Sequence, residues 1–268
     1  MTTHEKQELF DFTVKTAENA GKLLLSEFRA RDPRQRTFDK EAKSIGDTLA
    51  DEIIKKAIER AYPEHAYLTE ETGWVRRDES DFLWVIDPLD GTSNFENHNP
   101  FFAVSIGLWH KGEPVLGVIE APALGERFTA ITGEGSFRHD LWREEKLATK
   151  VSETKDAKAS YWVFCQGGEK RKERGLEVFD QAFPQTKEFR KFGSAALELA
   201  WVGSGRSDGY VTTSISFWDI AAGMIFVHEA GGDIFHFDGT AYDWSDFLRS
   251  ETYDLQASNG SVKLALTV

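Results

Sequence analysis

The segment Trp84-Val85-Ile86-Asp87-Pro88-Leu89-Asp90-Gly91-Thr92 constrains this chain more than any other. An apolar run of strand formers ends in a carboxylate, and Pro88 then fixes the backbone and is expected to stop strand pairing. A second carboxylate follows three residues after the first, with Gly-Thr behind it. Asp87 and Asp90 can therefore converge on one point at the C-terminal end of a strand. Mg²⁺ takes such a donor set: a few hard oxygens, with room left for water and substrate phosphate. The Leu89 carbonyl projects from the same turn as a further oxygen. Gly91 and Thr92 offer backbone N–H groups to an anion, with a hydroxyl alongside. A β-turn bearing two solvated aspartates explains the segment about equally well in isolation. An EF-hand is excluded, because the alternating acidic ligands and the distal Glu are missing.

Two other acidic segments add to it. Tyr67-Leu68-Thr69-Glu70-Glu71-Thr72-Gly73 places adjacent carboxylates after a short apolar stretch. In Trp218-Asp219-Ile220-Ala221-Ala222-Gly223, Asp219 falls in the first turn of a helix whose other residues read as buried. An acid there also complements the helix dipole, which accounts for it equally well taken alone.

The surrounding pattern is that of a layered α/β protein. A helix is predicted over 5–29, where Phe10, Val14, Ala17, Gly21, Leu24 and Phe28 recur at spacings of three and four. Residues 31–40 read as a loop. A second helix is expected over 47–61, with Gly46-Asp47 at its N-cap and Pro63 closing it. Strands are expected at 82–86, 101–110, 113–120 and 127–131, the middle two forming a hairpin about Lys111-Gly112. The charged stretch 138–158 reads as a solvated connector anchored by Leu141, Trp142 and Leu147. Beyond it come strand 161–165, helix 172–182, strand 187–191, helix 194–203, strand 209–213, helix 218–230 with Gly231-Gly232 as its stop, and strand 233–237. Two halves are expected: 1–145, α+β and carrying most of the acids, and 146–268, α/β and carrying Asp219.

The chain of 268 residues has 32 Lys and Arg against 45 Asp and Glu, a net charge of −13. That field disfavours nonspecific binding to nucleic acid or anionic lipid. A small anion enters only where something local inverts the charge. The single cysteine, Cys165, suits a reducing compartment, and no apolar run approaches the ~20 residues that span a bilayer. A charged N-terminus without an apolar core argues against a signal peptide. The expectation is a cytoplasmic protein with neither nucleic-acid nor membrane partners.

The pieces GxxxxD, EET, WVIDPLDGTSNF and WDIAAGMIFVHEAGG, in this order and at these separations, resemble the inositol monophosphatase family over about residues 5–240. Gly133-Glu134-Gly135-Ser136-Phe137 and Gly193-Ser194-Ala195-Ala196 match as well. The resemblance implies a Mg²⁺-dependent, typically lithium-sensitive phosphomonoesterase. Its fold would be a layered α-β-α-β-α sandwich of the inositol monophosphatase and fructose-1,6-bisphosphatase type, commonly a homodimer. Carried across by position, Glu70, Asp87 and the Leu89 carbonyl match the ligands of a first Mg²⁺. Asp87, Asp90 and Asp219 match those of a second, and Asp47 and Glu70 those of a third and of the nucleophilic water. Gly91 and Thr92 match the phosphate cradle, and Thr92 with Asp47 the groups that position and deprotonate the water. Ser194, Thr212 and Asp219 fall at substrate-binding positions. Asp51 is an alternative to Asp47, but Asp47 keeps the following helix in the family's phase without a gap.

Five carboxylates would repel phosphate, whereas two divalent ions bring the site close to neutrality and three reverse its sign. The chain departs from animal-type relatives where a Glu contacts inositol: that position falls near Thr212, and Ser216 replaces a His. Inositol 1-phosphate is therefore one substrate among several, beside fructose 1,6-bisphosphate, histidinol phosphate and 3′-phosphoadenosine 5′-phosphate. The charged stretches 138–158 and 169–174 are candidates for a second-phosphate contact. The alternative of another class is a catalytically idle regulatory protein that keeps the fold.

Overall fold

The computed structural model describes residues 1–30, 45–76, 80–166, 172–248, 250 and 252–267; the loop expected over 31–40 and part of the 169–174 stretch lie outside these. Helix α1 (Thr3–Ala30) buries Leu9, Ala17, Ala20 and Leu24, and α2 (Ile45–Ala61) buries Ala50, Ile54 and Ile58. Both stripes pack on one face of a single sheet. Asp47 is not at an N-cap as expected. Ile45 and Gly46 are already helical, so Asp47 sits in the first turn with its carboxylate on the helix face, turned inward.

The first sheet contains β1 (Ala66–Thr69), β2 (Gly73–Val75), β3 (Phe82–Asp90), β4 (Ala103–His110), β5 (Glu113–Ala121), β6 (Glu126–Ile131), β7 (Gly135–Asp140) and β8 (Glu145–Ala148), in the order β2-β1-β3-β4-β5-β6-β7-β8. Only the β1–β3 pair is parallel. Lys111 and Gly112 have φ of 55° and 84°, the left-handed pair that closes a two-residue hairpin with the twist of its strands. Two expectations need correction. The stretch from 138 is not a solvated connector: it forms the second half of β7 and all of β8, so the sheet continues to Ala148. Nor do Trp142 and Leu147 anchor it, being 74% and 44% exposed.

Pro88 also fails to end β3. Pairing with β4 breaks after Asp87↔Ser105 and resumes at Asp90↔Ala103. Proline has no N–H to give the ladder, and the strand absorbs this with one extra residue, a bulge, rather than stopping. The extra residue sets Asp87 and Asp90 opposite Ser105 and Ala103, two apart on β4, and so brings the two aspartates to the same face of the sheet.

The second sheet has the order β10-β9-β11-β13-β12, from β9 (Tyr161–Gln166), β10 (Glu188–Arg190), β11 (Gly209–Ser216), β12 (Asp233–Phe235) and β13 (Thr252–Ser258). β9, β10 and β11 run parallel, while β13 is antiparallel to its neighbours. Between the sheets lie α5 (Ala195–Gly203) and α6 (Phe217–Glu229), buried in a core shared by both. α4 (Lys172–Ala182) covers the outer face of the second sheet. The result is the layered α-β-α-β-α sandwich, with the short α3 (Thr92–Glu96) following β3.

How α6 is seated decides where Asp219 stands. Gly107 and Gly117 face each other across β4 and β5, directly under this helix. A Cβ on Gly117 would stand 2.7 Å from the Ala222 carbonyl oxygen, and one on Gly107 3.3 Å from the Ala222 nitrogen. Bare backbone at both positions lets the helix settle onto the sheet. Its C-terminus closes as the glycine pair predicts: Gly231 takes φ of 88°, its N–H donates to His228, and Gly232 donates to Val227.

Candidate active site

Three segments remote in sequence deliver carboxylates to one place. Asp87 stands at the β3 bulge, Glu70 in the turn between β1 and β2, and Asp219 in the first turn of α6. Each offers an oxygen within 4.8 Å of the other two. Two short bonds orient the set. Asp219 Oδ2 accepts the Ser216 backbone N–H at 3.1 Å, capping α6. Asp87 Oδ1 accepts the Leu89 N–H at 3.0 Å, which holds the 87–89 turn. Asp87 Oδ2 is buried and receives no hydrogen bond.

Three acids this close do not ionise together readily. Burial, followed by the Glu70 charge, holds Asp87 well above the usual carboxylate range, and the same causes raise Asp219. Glu70 is the exposed member, yet its carboxylate end is crowded enough that lost hydration, and then Asp47, push it up to about 7. A cation among the oxygens removes this cost. An all-oxygen, anionic donor set containing a buried unbonded oxygen fits a hard divalent ion such as Mg²⁺.

Asp90 is turned another way. Its Oδ2 accepts the Ser194 hydroxyl and the Ala196 N–H at 2.7 Å, and its Oδ1 accepts the Ala195 N–H at 3.2 Å. Both oxygens are thus engaged by the start of α5, and Asp90 does not join the three-acid group. Its charge still acts on Glu70, Asp87 and Asp219, and burial pushes its own carboxyl up to about 6 against those bonds. Ser194, expected to meet substrate, is buried and donates to Asp90.

Thr92 Oγ1 lies 3.1 Å from both Asp47 Oδ1 and the Leu89 carbonyl. Asp51 is committed elsewhere, to Lys55 at 2.7 Å and the Thr72 hydroxyl at 3.0 Å. Gly91 has φ of 90°, and a Cβ there would stand 2.9 Å from the Phe101 carbonyl, so the turn tolerates only glycine. Thr212 pairs with Cys165 across β11 and β9 and is fully buried, with no hydrogen bond to its Oγ1.

Two residues that the sequence reading gave no role tie this end of the molecule together. Asn94 Nδ2 donates to the carbonyls of Phe101 at 2.8 Å and Phe192 at 2.7 Å. Glu198 Oε1, wholly buried, accepts the N–H groups of Phe192 at 2.8 Å and Gly193 at 3.0 Å. The loop that grips Asp90 is thereby held from both sides. A lone acid inside the apolar run Ala195-Ala196-Leu197-Glu198-Leu199-Ala200 was the signal available for it.

The model of the inositol monophosphatase family matches residues 5–264. The chain belongs to that family. It is similar to an inositol-1-monophosphatase of Mesorhizobium japonicum, at 34% identity over 87% of each chain. It is also similar to a Nus factor SuhB of Xylella fastidiosa, at 36% identity over 94% of this chain and 90% of that one. The solved inositol monophosphatase of Anabaena (Nostoc) sp. PCC 7120 superposes with a TM-score of 0.80 at 33% identity, covering 95% of this chain and 92% of that one. Membership of the inositol monophosphatase family supports a phosphatase.

Proposed function

We propose that this member of the inositol monophosphatase family hydrolyses the phosphate monoester of a small metabolite with the help of Mg²⁺. The observation that carries the reading is the meeting of Glu70, Asp87 and Asp219 around a buried oxygen with no hydrogen bond. These three, with the Leu89 carbonyl, Asp90 and Asp47, would hold two or three ions. Held there, they would supply the positive charge needed to activate water and stabilise the departing alkoxide, in a reaction whose uncatalysed rate is among the slowest known.

The chain's own groups do the rest. Thr92 Oγ1, bridging Asp47 and the Leu89 carbonyl, orients the attacking water, and Asp47 accepts its proton. The Gly91–Thr92 backbone receives the phosphate. Asp90 keeps α5 in place and adds its negative charge to the site. The first substrate to test is inositol 1-phosphate, with fructose 1,6-bisphosphate, histidinol phosphate and 3′-phosphoadenosine 5′-phosphate beside it, because Thr212 supplies no carboxylate to grip inositol hydroxyls. A cytoplasmic homodimer goes with this reading; among the described residues no helix is long and apolar enough to cross a membrane.

The test is release of inorganic phosphate from this panel with Mg²⁺ present, with Asp87→Asn as control. Release that needs both Mg²⁺ and Asp87 supports the reading; no release from any substrate overturns it. The relatives named Nus factor SuhB favour a second reading, in which this chain acts as a factor bound to another macromolecule. Such a role would survive Asp87→Asn.

A further inference from the structure

Asp47, Asp51, Lys55 and Glu59 fall four apart in α2 and so lie along one line of the helix. That line makes a polar seam with the sheet. At its ends Asp47 accepts the Thr92 hydroxyl at 3.1 Å and Glu59 the Tyr67 hydroxyl at 2.6 Å. Between them Asp51 and Lys55 close a triangle on Thr72. The Thr72 hydroxyl donates to Asp51 Oδ2 at 3.0 Å and accepts from Lys55 Nζ at 2.6 Å. Lys55 meets the same Asp51 oxygen at 2.7 Å. An i,i+4 pair on a helix surface contributes little, and nothing in such a pair calls for its acid to be buried. Here the Asp51 side chain is 4% exposed, and its Oδ1 has no hydrogen bond. Burial of that carboxylate costs hydration, and what it gains is a fixed grip on Thr72.

Thr72 belongs to the turn that carries Glu70. That turn joins strands of four and three residues, with β2 at the edge of its sheet. A hairpin this short is marginal by itself. On the entry side the Glu70 N–H is tied to the Ile86 carbonyl of β3 at 3.3 Å. On the exit side the tie is Thr72, whose N–H donates to Thr69 Oγ1 at 2.9 Å and whose hydroxyl is held by α2. We infer that Asp51 is a positioning residue: with Lys55 and Thr72 it sets the Glu70 carboxylate against Asp47, and so shapes the ion and water site those two share. The inference rests on the phosphomonoesterase reading for the ion and the water. One helix then carries the proton acceptor Asp47 and, a turn later, the grip on the loop that bears the ligand Glu70. The two acids move together. Burial raises the Glu70 carboxyl most and the Asp47 charge comes next, as their nearness requires. A displacement of about 1 Å at such a site is enough to cost about a hundredfold in rate.

Thr72→Val removes the hydroxyl at an exposed position and leaves the Asp51–Lys55 pair in place, so the fold should persist, as thermal melting will verify. Calorimetric titration of Mg²⁺ into the metal-free protein should show affinity weakened about tenfold or more, and Thr72→Ser should restore it. Asp51→Asn should weaken Mg²⁺ in the same way and add little to Thr72→Val, because both break one link. The deciding comparison is made in Glu70→Gln. With the ligand carboxylate gone, Thr72→Val should change Mg²⁺ affinity by less than about twofold, whereas a merely structural role would lower it in both backgrounds. Parent-like affinity in Thr72→Val, or an equal loss in the Glu70→Gln background, overturns the inference. A parent chain that binds Mg²⁺ but releases no phosphate overturns the hydrolytic reading and leaves the positioning of Glu70 standing; one that binds no Mg²⁺ overturns both.

Discussion

Asp90 accepts the backbone N–H of Ala196 at 2.7 Å, joining residues 106 apart in sequence. The second acid of the Asp87-Pro88-Leu89-Asp90 turn is thus the N-terminal acceptor of α5, the helix that lies between the two sheets. It answers the positive end of that helix and satisfies N–H groups that have no intrahelical partner. The same carboxylate stands close enough to Asp87 and Asp219 to raise both. It couples the packing of the layers to the charge of the site.

Asp90→Asn keeps one carbonyl oxygen as acceptor and loses the other, together with the charge. Unfolding in urea should show a loss of about 1–2 kcal/mol. Phosphate release should fall by about a hundredfold or more, with weaker Mg²⁺ binding. Unaltered Mg²⁺ affinity by calorimetry would take Asp90 out of the metal site.

Stability and metal binding should share one pH window. In the metal-free protein Glu70 moves from its ordinary 4.5 to about 7 and Asp90 from 3.8 to about 6. Between those limits the folded chain holds protons that the unfolded chain has released. Metal-free stability should therefore decline as pH rises from about 4, with the part that Glu70 and Asp90 contribute lost as pH passes about 7 and the raised Asp87 and Asp219 adding a loss in the same direction. Mg²⁺ displaces these protons, so the rise in Tm on adding it should grow across the same range. A Mg²⁺-induced shift that is flat with pH would show that these carboxylates do not hold the ion.

Gly117→Ala puts a methyl group 2.7 Å from the Ala222 carbonyl, where only backbone can yield. The expected cost is about 1–3 kcal/mol. Since α6 must lift, carrying Asp219 with it, Mg²⁺ affinity should drop as well. Loss of stability with unchanged metal binding would mean that the helix repacks without moving its first turn.

Glu198→Ala strands the Phe192 and Gly193 N–H groups in a buried loop, which should cost about 1–3 kcal/mol and lower kcat more than it raises KM. Glu198→Gln retains a carbonyl for both donors and should restore most of each. If the Gln variant behaves like the Ala variant, the charge of Glu198 and not its hydrogen bonding is what counts.

Much of the fold was legible from periodicity. The amphipathic stripes of α1 and α2, the β4–β5 hairpin and the strand–helix alternation of the second half all depend on residues near one another in sequence. Five strands were not foreseen: the short β1 and β2, the polar β7, the charged β8, and β13, whose pairing partners β11 and β12 lie well before it in sequence. Strands so short, so polar or so dependent on a distant partner carry little signal of their own. Pro88 misled in the other direction, since a bulge can absorb a missing donor that local rules treat as a stop.

By itself the sequence determined that carboxylates stand at the end of an apolar strand, after a short apolar stretch and in the first turn of an apolar helix, because those placements follow from local pattern. Only the tertiary structure decided that Glu70, Asp87 and Asp219 meet, that Asp90 turns to α5, and that Asp47 and not Asp51 reaches Thr92. Those outcomes depend on sheet order, on a one-residue bulge and on how closely α6 settles over Gly107 and Gly117. Such quantities arise from packing between distant segments, and no run of neighbouring residues encodes them.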